Sequence, residues 1–288
     1  MKVTRAAMPL LPLCQRMLPG RLAGLSLALL KATALEFAIL AGHLLLYPSG
    51  ITQERRGSSA RLPSPDGAAQ LPTETKPPVV LLHGFIDNRS VFVLLRRSLA
   101  QHGRQQVESL NYSPLTCDIR TAAELLGRHI EEICERTGSK HVDVVGHSLG
   151  GLIARYYVQR LGGDIRVRTL VTLGTPHSGT RVVPLANAHP IVRQMRPGSA
   201  LLEELTRPAP GCRTHFVSFW SDLDHLMDPL ETACIDHPDL MVQNVRVSGI
   251  GHLALPVHPA VATGIRQALD TERTGAEAAA RTGGLTVA

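Results

Sequence analysis

From Pro78 onward, short apolar runs alternate with amphipathic stretches. Val79–His83, Val107–Tyr112, His141–Gly146, Val167–Leu173, His215–Trp220 and Val245–Ile250 have the length and the branched or aromatic content of buried strands. Between them, Ser90–Gln101, Asp118–Thr137, Leu149–Leu161, Ile191–Leu205 and Pro256–Thr271 place apolar residues at helical spacing. Asp118 stands where a helix N-cap belongs and Gly138 where a helix ends in a left-handed residue. Six strands separated by helices predict an α/β architecture, a mostly parallel sheet with helices on both faces. No internal repeat is evident.

The chain before Pro78 follows a different pattern. Lys2, Arg5, Arg16 and Arg21 precede an apolar run, Leu22–Tyr47, interrupted by Lys31, Glu36 and His43. About a dozen Leu, Ile and Phe at about −0.5 kcal/mol each are nearly offset by two ionisable residues near the centre at about +2.5 to +3.5 kcal/mol each, so spanning a bilayer is marginal. Around a helix Lys31 lies about 140° from Glu36, while Glu36 and His43 nearly coincide, so no single polar face emerges. An uncleaved membrane anchor is the leading reading. An export signal cut at Ala32-Thr33-Ala34 and a helix packed on the rest of the protein are the alternatives. The expected organisation is an anchor or signal-like segment at 1–50, a Pro/Ser/Gly-rich linker at 51–77, one globular unit at 78–271 and a flexible tail at 272–288. The globular unit is then membrane-associated or exported, with a membrane surface as a partner.

Composition narrows the functional classes. The 288 residues are 44% hydrophobic, which excludes a disordered chain, and the net charge of +6 is scattered, with Arg55-Arg56 and Arg96-Arg97 the longest basic runs. With 3% aromatic residues and no basic stripe, there is no platform for nucleic acid. Cys14, Cys117, Cys134, Cys212 and Cys234 form no zinc-type spacing, so no metal site is expected from them. Cys212 with Cys234 is the one plausible disulfide, and it requires export; two unpaired thiols are the alternative.

The chemistry centres on Gly146-His147-Ser148-Leu149-Gly150-Gly151, a G-x-S-x-G string between a buried strand and a helix. That context makes a tight turn which exposes the Ser148 hydroxyl at the carboxyl end of the sheet, above a helix N-terminus whose partial positive charge favours an oxyanion. Of thirteen histidines, His252 follows the last strand and is the expected base. His83, His147 and His177 read as local support. The orienting acid comes from the segment after the fifth strand, where Asp224 leads and Asp222 and Asp228 remain alternatives. His83-Gly84-Phe85 ends the first strand, so the N–H of Phe85 and that of Leu149 are the expected oxyanion donors.

At Val80–Phe85, Val142–Gly151, Val171–His177 and Asn244–Leu253 the chain resembles the small bacterial triacylglycerol lipases and esterases of the alpha/beta-hydrolase superfamily, over about Pro77 to Leu269. In that family the acid lies just beyond a Ser-aromatic-Ser strand end; laid on Ser218-Phe219-Trp220-Ser221, the pattern points to Asp224. The resemblance implies hydrolysis of carboxylic esters, lipids among them, through an acyl-enzyme on Ser148, with no organic cofactor. The chain departs from the full superfamily pattern in starting at the third strand of the usual order, because the linker leaves no room for two earlier strands, so a minimal fold of about six strands with a short cap region is expected. Ile191, Met195 and Leu202, on an expected cap helix Ile191–Leu205, are a candidate acyl pocket, with ordinary helix packing as the alternative. An acyltransferase or thioesterase with the same three residues, and a membrane-tethered scaffold without activity, are the competing functions. A structural calcium beside Asp222, Asp224 or Asp228 is left open.

Overall fold

A computed structural model describes residues 20–51, 76–85, 87–113, 118–182, 189–271 and 286–287. The expected linker over 52–75, Cys14 and Cys117 lie outside the described residues.

Six strands form where the apolar runs predict them: β1 Val79–Leu82, β2 Val107–Leu110, β3 Val142–His147, β4 Val167–Leu173, β5 His215–Ser221 and β6 Met241–Val247. All pair in parallel in the order β2-β1-β3-β4-β5-β6. A two-residue strand, β7 Thr286–Val287, joins the β6 edge from within the segment expected as a tail. The sixth strand begins four residues earlier than its apolar core and stops at Val247, because Gly249 turns the chain with φ +81°.

Successive strand residues face opposite sides, and helices cover both. Val80, Leu82, Val142, Val144 and Leu170 point into one buried cluster; Val79, Leu81, Val145, Val171, Val217 and Val245 point into the other. Helices α3 Ile119–Thr137 and α4 Leu149–Arg160 cover the first face. On the second face, α2 Val93–Gln101 and α7 Pro259–Asp270 do the same. Asp118 caps α3 by accepting from the Thr121 N–H at 2.8 Å, and Gly138 closes it at φ +69°.

The single cap helix expected over Ile191–Leu205 is instead two short ones, α5 Pro190–Gln194 and α6 Ala200–Thr206. Pro197 lacks the N–H that a continuous helix needs, and Gly198 adopts φ +71°, so the chain breaks and restarts at Ser199, which caps α6.

The chain leaves β1 for β2 on one side and returns to β3 on the other, so the strand order reverses between β1 and β3. In open α/β sheets such a reversal opens a crevice at the carboxyl ends of the strands.

The N-terminal apolar run is a helix, α1 Gly20–Ile51, whose stretch Leu30–Pro48 is long and apolar enough to cross a membrane by length and composition. Glu36 and His43 share the face that packs on the carboxyl end of the sheet, where Ala32 and His43 are buried and Ile39 meets the second core cluster. Leu30, Phe37 and Leu45 on the rest of the helix are 67%, 67% and 82% exposed. Farther along, Asn88 and Asn111 donate to the Tyr47 and Gly50 carbonyls at 2.8 and 2.7 Å.

Candidate active site

Ser148 sits between β3 and α4 with φ 52° and ψ −118°, the one non-glycine residue with positive φ among those described. Holding a side-chain-bearing residue there costs about 1 to 3 kcal/mol, so the surroundings must enforce it. The Ser148 N–H donates to the Leu173 carbonyl at 2.9 Å. Its own carbonyl accepts from the Gly151 N–H at 3.1 Å and from Thr175 Oγ1 at 3.0 Å. The turn also needs room: a Cβ at Gly150 would lie 2.4 Å from the Leu82 carbonyl oxygen, so only glycine lets α4 start this close to β1. The result is a half-buried hydroxyl at the N-terminus of a twelve-residue helix, next to the β1/β3 crevice.

His252 lies on the irregular segment after β6, and its Nδ1 is 2.8 Å from Asp224 Oδ2. A carboxylate only accepts, so Nδ1 carries the proton and Nε2 is left free to act as a base. The pair is almost inaccessible, at 4% exposure for His252 and 1% for Asp224. Asp224 is itself oriented by the Leu226 N–H, which donates to Oδ1 at 3.0 Å. Ser221, the last residue of β5, ties the two loops together by donating its hydroxyl to the Ile250 carbonyl.

Gly174 brings the serine turn and the Asp224–His252 pair to one place. It follows Leu173, which holds the Ser148 N–H, and a Cβ on it would lie 2.9 Å from Asp224 Oδ2 and 3.0 Å from His252 Nδ1. The His147 ring, adjacent to Ser148, also packs on the His252 ring with centroids 4.8 Å apart.

The other two acids of the segment bond elsewhere. Asp222 accepts from Arg246 at 2.8 Å and from the Gly249 N–H at 3.2 Å on the outer side of β6. Asp228 donates its backbone N–H to Thr180 Oγ1 at 3.3 Å.

Protonation separates His252 from the other buried histidines. Burial lowers the pKa of His83 and His147 and pushes His177 well below the ordinary value, the last with help from the Arg155 guanidinium. Burial acts on His252 in the same sense and is the largest single influence, but the carboxylates of Asp224, Asp87 and Glu36 together outweigh it and the pKa rises above 6.5. Of these four, only His252 is shifted toward the imidazolium.

The remaining sequence-predicted residues fall as follows. Leu149 is the first residue of α4, and Phe85 follows Gly84, whose added Cβ would approach Ser148 Cβ to 3.4 Å. The strand-end His83 donates from Nδ1 to the Gly84 carbonyl at 2.8 Å, stacks on Tyr112 at 4.3 Å, and takes the Tyr112 hydroxyl on its own carbonyl. Ile191, Met195 and Leu202 are buried in the first core cluster with Leu201 and Leu205. Cys212 and Cys234 are free thiols, and burial raises the pKa of both. Among the described residues no group of three or more His, Cys, Asp or Glu is arranged to hold a metal ion.

Several residues at the site have no signature in the local sequence. Arg155, deep in α4, donates to the carbonyls of His177 and Leu205 at 3.3 Å each and ties the chain after β4 to α6; burial brings its pKa down to about 10. Asp87 lies between His147 and His43. Burial alone would raise its carboxyl, but the two imidazoles hold it well below the usual range. Glu36 and His43 come from α1, and the one available signal is that they coincide on its circumference.

A family model for the alpha/beta hydrolase fold matches residues 77–207. A triacylglycerol lipase of Vibrio cholerae is 30% identical over 158 residues, 52% of this chain and 45% of that protein. One from Burkholderia plantarii is 31% identical over 121 residues, 39% of this chain and 33% of that one. The chain therefore spans less than half the length of these curated relatives. The crystal structure of Bacillus licheniformis lipase BlEst2 in mature form superposes with a TM-score of 0.59 at 16% identity, over 69% of this chain and 94% of that one, a likeness of fold. Sheet order, serine turn and family match agree on an alpha/beta hydrolase fold.

Proposed function

We propose that this protein hydrolyses carboxylic esters, lipids in particular, through an acyl-enzyme on Ser148, with residues 78–271 as the catalytic unit. The observation that carries the reading is the buried Asp224–His252 pair beside a strained serine at the head of α4. His252 Nε2 takes the Ser148 hydroxyl proton as Oγ attacks the ester carbonyl. The tetrahedral oxyanion is met by the N–H groups of Phe85 and Leu149 at the β1/β3 crevice, each such donor contributing about 3 kcal/mol. The imidazolium returns its proton to the departing alcohol, and Ser148 keeps the acyl group. Water then repeats the sequence: His252 takes its proton, its oxygen attacks the acyl carbon, and the acid leaves as Ser148 recovers its hydrogen. Asp224 holds the imidazole in the tautomer that leaves Nε2 free.

The lipid preference is supported by the exposed apolar surface of α1, which runs alongside the same end of the sheet and would set the crevice against a membrane surface. Triacylglycerol lipases are also among the relatives that the sequence matches. Fluorophosphonate labelling tests the nucleophile: wild type is expected to take one equivalent, and Ser148→Ala to lose both the label and ester cleavage by at least about 10⁴-fold. Label retained on Ser148→Ala would remove Ser148 from the role. Esters of increasing acyl length, presented free and in vesicles, test the lipid preference, for which cleavage rising with acyl length and vesicle presentation is expected.

A further inference from the structure

Glu36 precedes Leu253 by 217 positions, yet its carboxylate is bonded into the loop that carries His252. Oε2 accepts from the Leu253 N–H and Oε1 from the Ala254 N–H, both at 2.9 Å. On the other side of His252, Gly251 lies so near that a Cβ there would fall 2.5 Å from Glu36 Cδ. Residues 251, 253 and 254 thus close on one carboxylate, and the residue between them is the imidazole paired with Asp224.

This loop has little structure of its own. After β6 the chain is turns up to α7, with Gly249 in the left-handed region. Amide groups given to a carboxylate make strong, charge-assisted bonds, and two consecutive ones fix both position and direction of the backbone. A second contact from the same helix face reaches the other side of the ring. His43 Nδ1 lies 3.5 Å from Asp87 Oδ1, and Asp87 Oδ2 lies 3.4 Å from Nδ1 of His147. His147 in turn packs on His252 and holds Nε2 3.3 Å from the His252 carbonyl.

We propose that Glu36 is a positioning residue for the base: α1 clamps the backbone on both sides of His252 and so aims its imidazole at Ser148. The inference rests on the reading of His252 as general base. It makes the apolar N-terminal helix a working part of the catalytic unit, beyond any function in membrane attachment. The Glu36 charge also acts on the ring directly, since the carboxylates of Asp224, Asp87 and Glu36 all favour the imidazolium while burial opposes it.

The test uses full-length protein and a soluble short-chain ester, with kcat and KM measured separately. Misaiming a catalytic group by about 1 Å costs about 100-fold, so Glu36→Ala is expected to lower kcat by about that factor with KM little changed. Glu36→Gln keeps the shape and one acceptor oxygen but turns an NH2 toward the second amide. Its kcat is expected between those of Glu36→Ala and wild type, with the acid limb of kcat/KM moved to lower pH because a negative charge beside His252 is gone. Lys31→Gln, at an exposed site on the same helix, is the control and leaves both constants unchanged. A folded Glu36→Ala protein with wild-type kcat overturns the proposal. If thermal unfolding shows that Glu36→Ala does not fold, Glu36→Gln decides: wild-type kcat with an unshifted acid limb overturns it, and reduced kcat with a shifted limb supports it. Failure of the underlying reading would show separately, as activity retained in Ser148→Ala.

Discussion

The turn that carries Ser148 is held by its own residues, Gly146 to Gly151, and by the end of the adjacent strand β4, whereas the loop that carries His252 takes its restraints from Asp224, 28 positions earlier, and from Glu36 near the start of the chain. The first is regular structure on both sides with one strained residue between, so strand and helix enforce the geometry together. The second is irregular backbone whose shape depends on side chains sent from elsewhere. Strain can be stored where the scaffold is stiff. Aim, in a loop, has to be supplied by hydrogen bonds from outside it. The two regions should therefore respond differently to substitution, the serine turn through packing and backbone strain and the histidine loop through its polar partners.

The largest expected effect on the histidine side is that of Asp224→Asn. An amide in place of the carboxylate can present its NH2 to Nδ1 and so favour the tautomer with the proton on Nε2, where it blocks the base; about a 10⁴-fold loss in kcat follows from this change alone. Thermal stability should change far less than activity. A kcat within tenfold of wild type would show that the loop does not depend on this partner and would erase the contrast between the two regions.

Gly174→Ala tests the point where they meet. At φ +52° an alanine costs about 1 to 2 kcal/mol in backbone strain, and its Cβ would intrude between Asp224 Oδ2 and His252 Nδ1 at 2.9 and 3.0 Å. We expect kcat to fall about 100-fold, as for other misplacements of a catalytic pair, with a lower melting temperature. Loss of stability without loss of kcat would separate the two effects and show that the pair tolerates displacement.

The pH dependence is a smaller effect, graded with acidity. His252 must be neutral to act as a base, and its pKa lies above the ordinary 6.5 because the carboxylates of Asp224, Asp87 and Glu36 together outweigh burial. Activity is then full above that raised value and is lost as the pH falls through it, about tenfold in kcat/KM per pH unit below. The other buried histidines do not contribute a limb at this position, since burial drives His83, His147 and His177 the opposite way. A pH profile of kcat/KM with its acid limb below 6.5 would contradict the assignment of His252.

What could be seen in the sequence divides along the same line. The six main strands, the caps of α3 and the G-x-S-x-G turn were legible because each depends on residues close together in the chain: alternating burial, an Asp at the N-cap, small residues around a serine. The aspartate paired with His252 was legible only as a choice among three carboxylates, because which of them meets the histidine is set by where β5 ends and by the loop's outside contacts. Asp87 and Glu36 were invisible for the same reason. The coincidence of Glu36 and His43 on one helix face was present in the sequence, but hydropathy treats both as flaws in an apolar run, whereas in the fold they are the face that docks. The single cap helix expected over Ile191–Leu205 failed on Pro197-Gly198, a local signal outweighed by apolar periodicity.

The smallest expected effect sharpens the comparison most narrowly, because it compares two aspartates two residues apart. Asp222 sits on the outer side of β6, where Arg246 donates to it at 2.8 Å and the Gly249 N–H at 3.2 Å. The Arg246 partner is largely in solvent, and exposed pairs of this kind contribute about 0 to 1 kcal/mol. Its influence on the catalytic loop passes through the Gly249 amide, three residues before His252, and an asparagine side-chain oxygen still accepts that bond. Asp222→Asn is therefore expected to leave kcat within about twofold of wild type and to lower stability by less than about 1 kcal/mol, measured by ester hydrolysis and by chemical unfolding. The informative outcome is the ratio of the two asparagine variants: if Asp222→Asn were the inactive one and Asp224→Asn the silent one, the acid would have to reach His252 from the outer side of β6, and the loop would have to be aimed by a different set of bonds from those seen here.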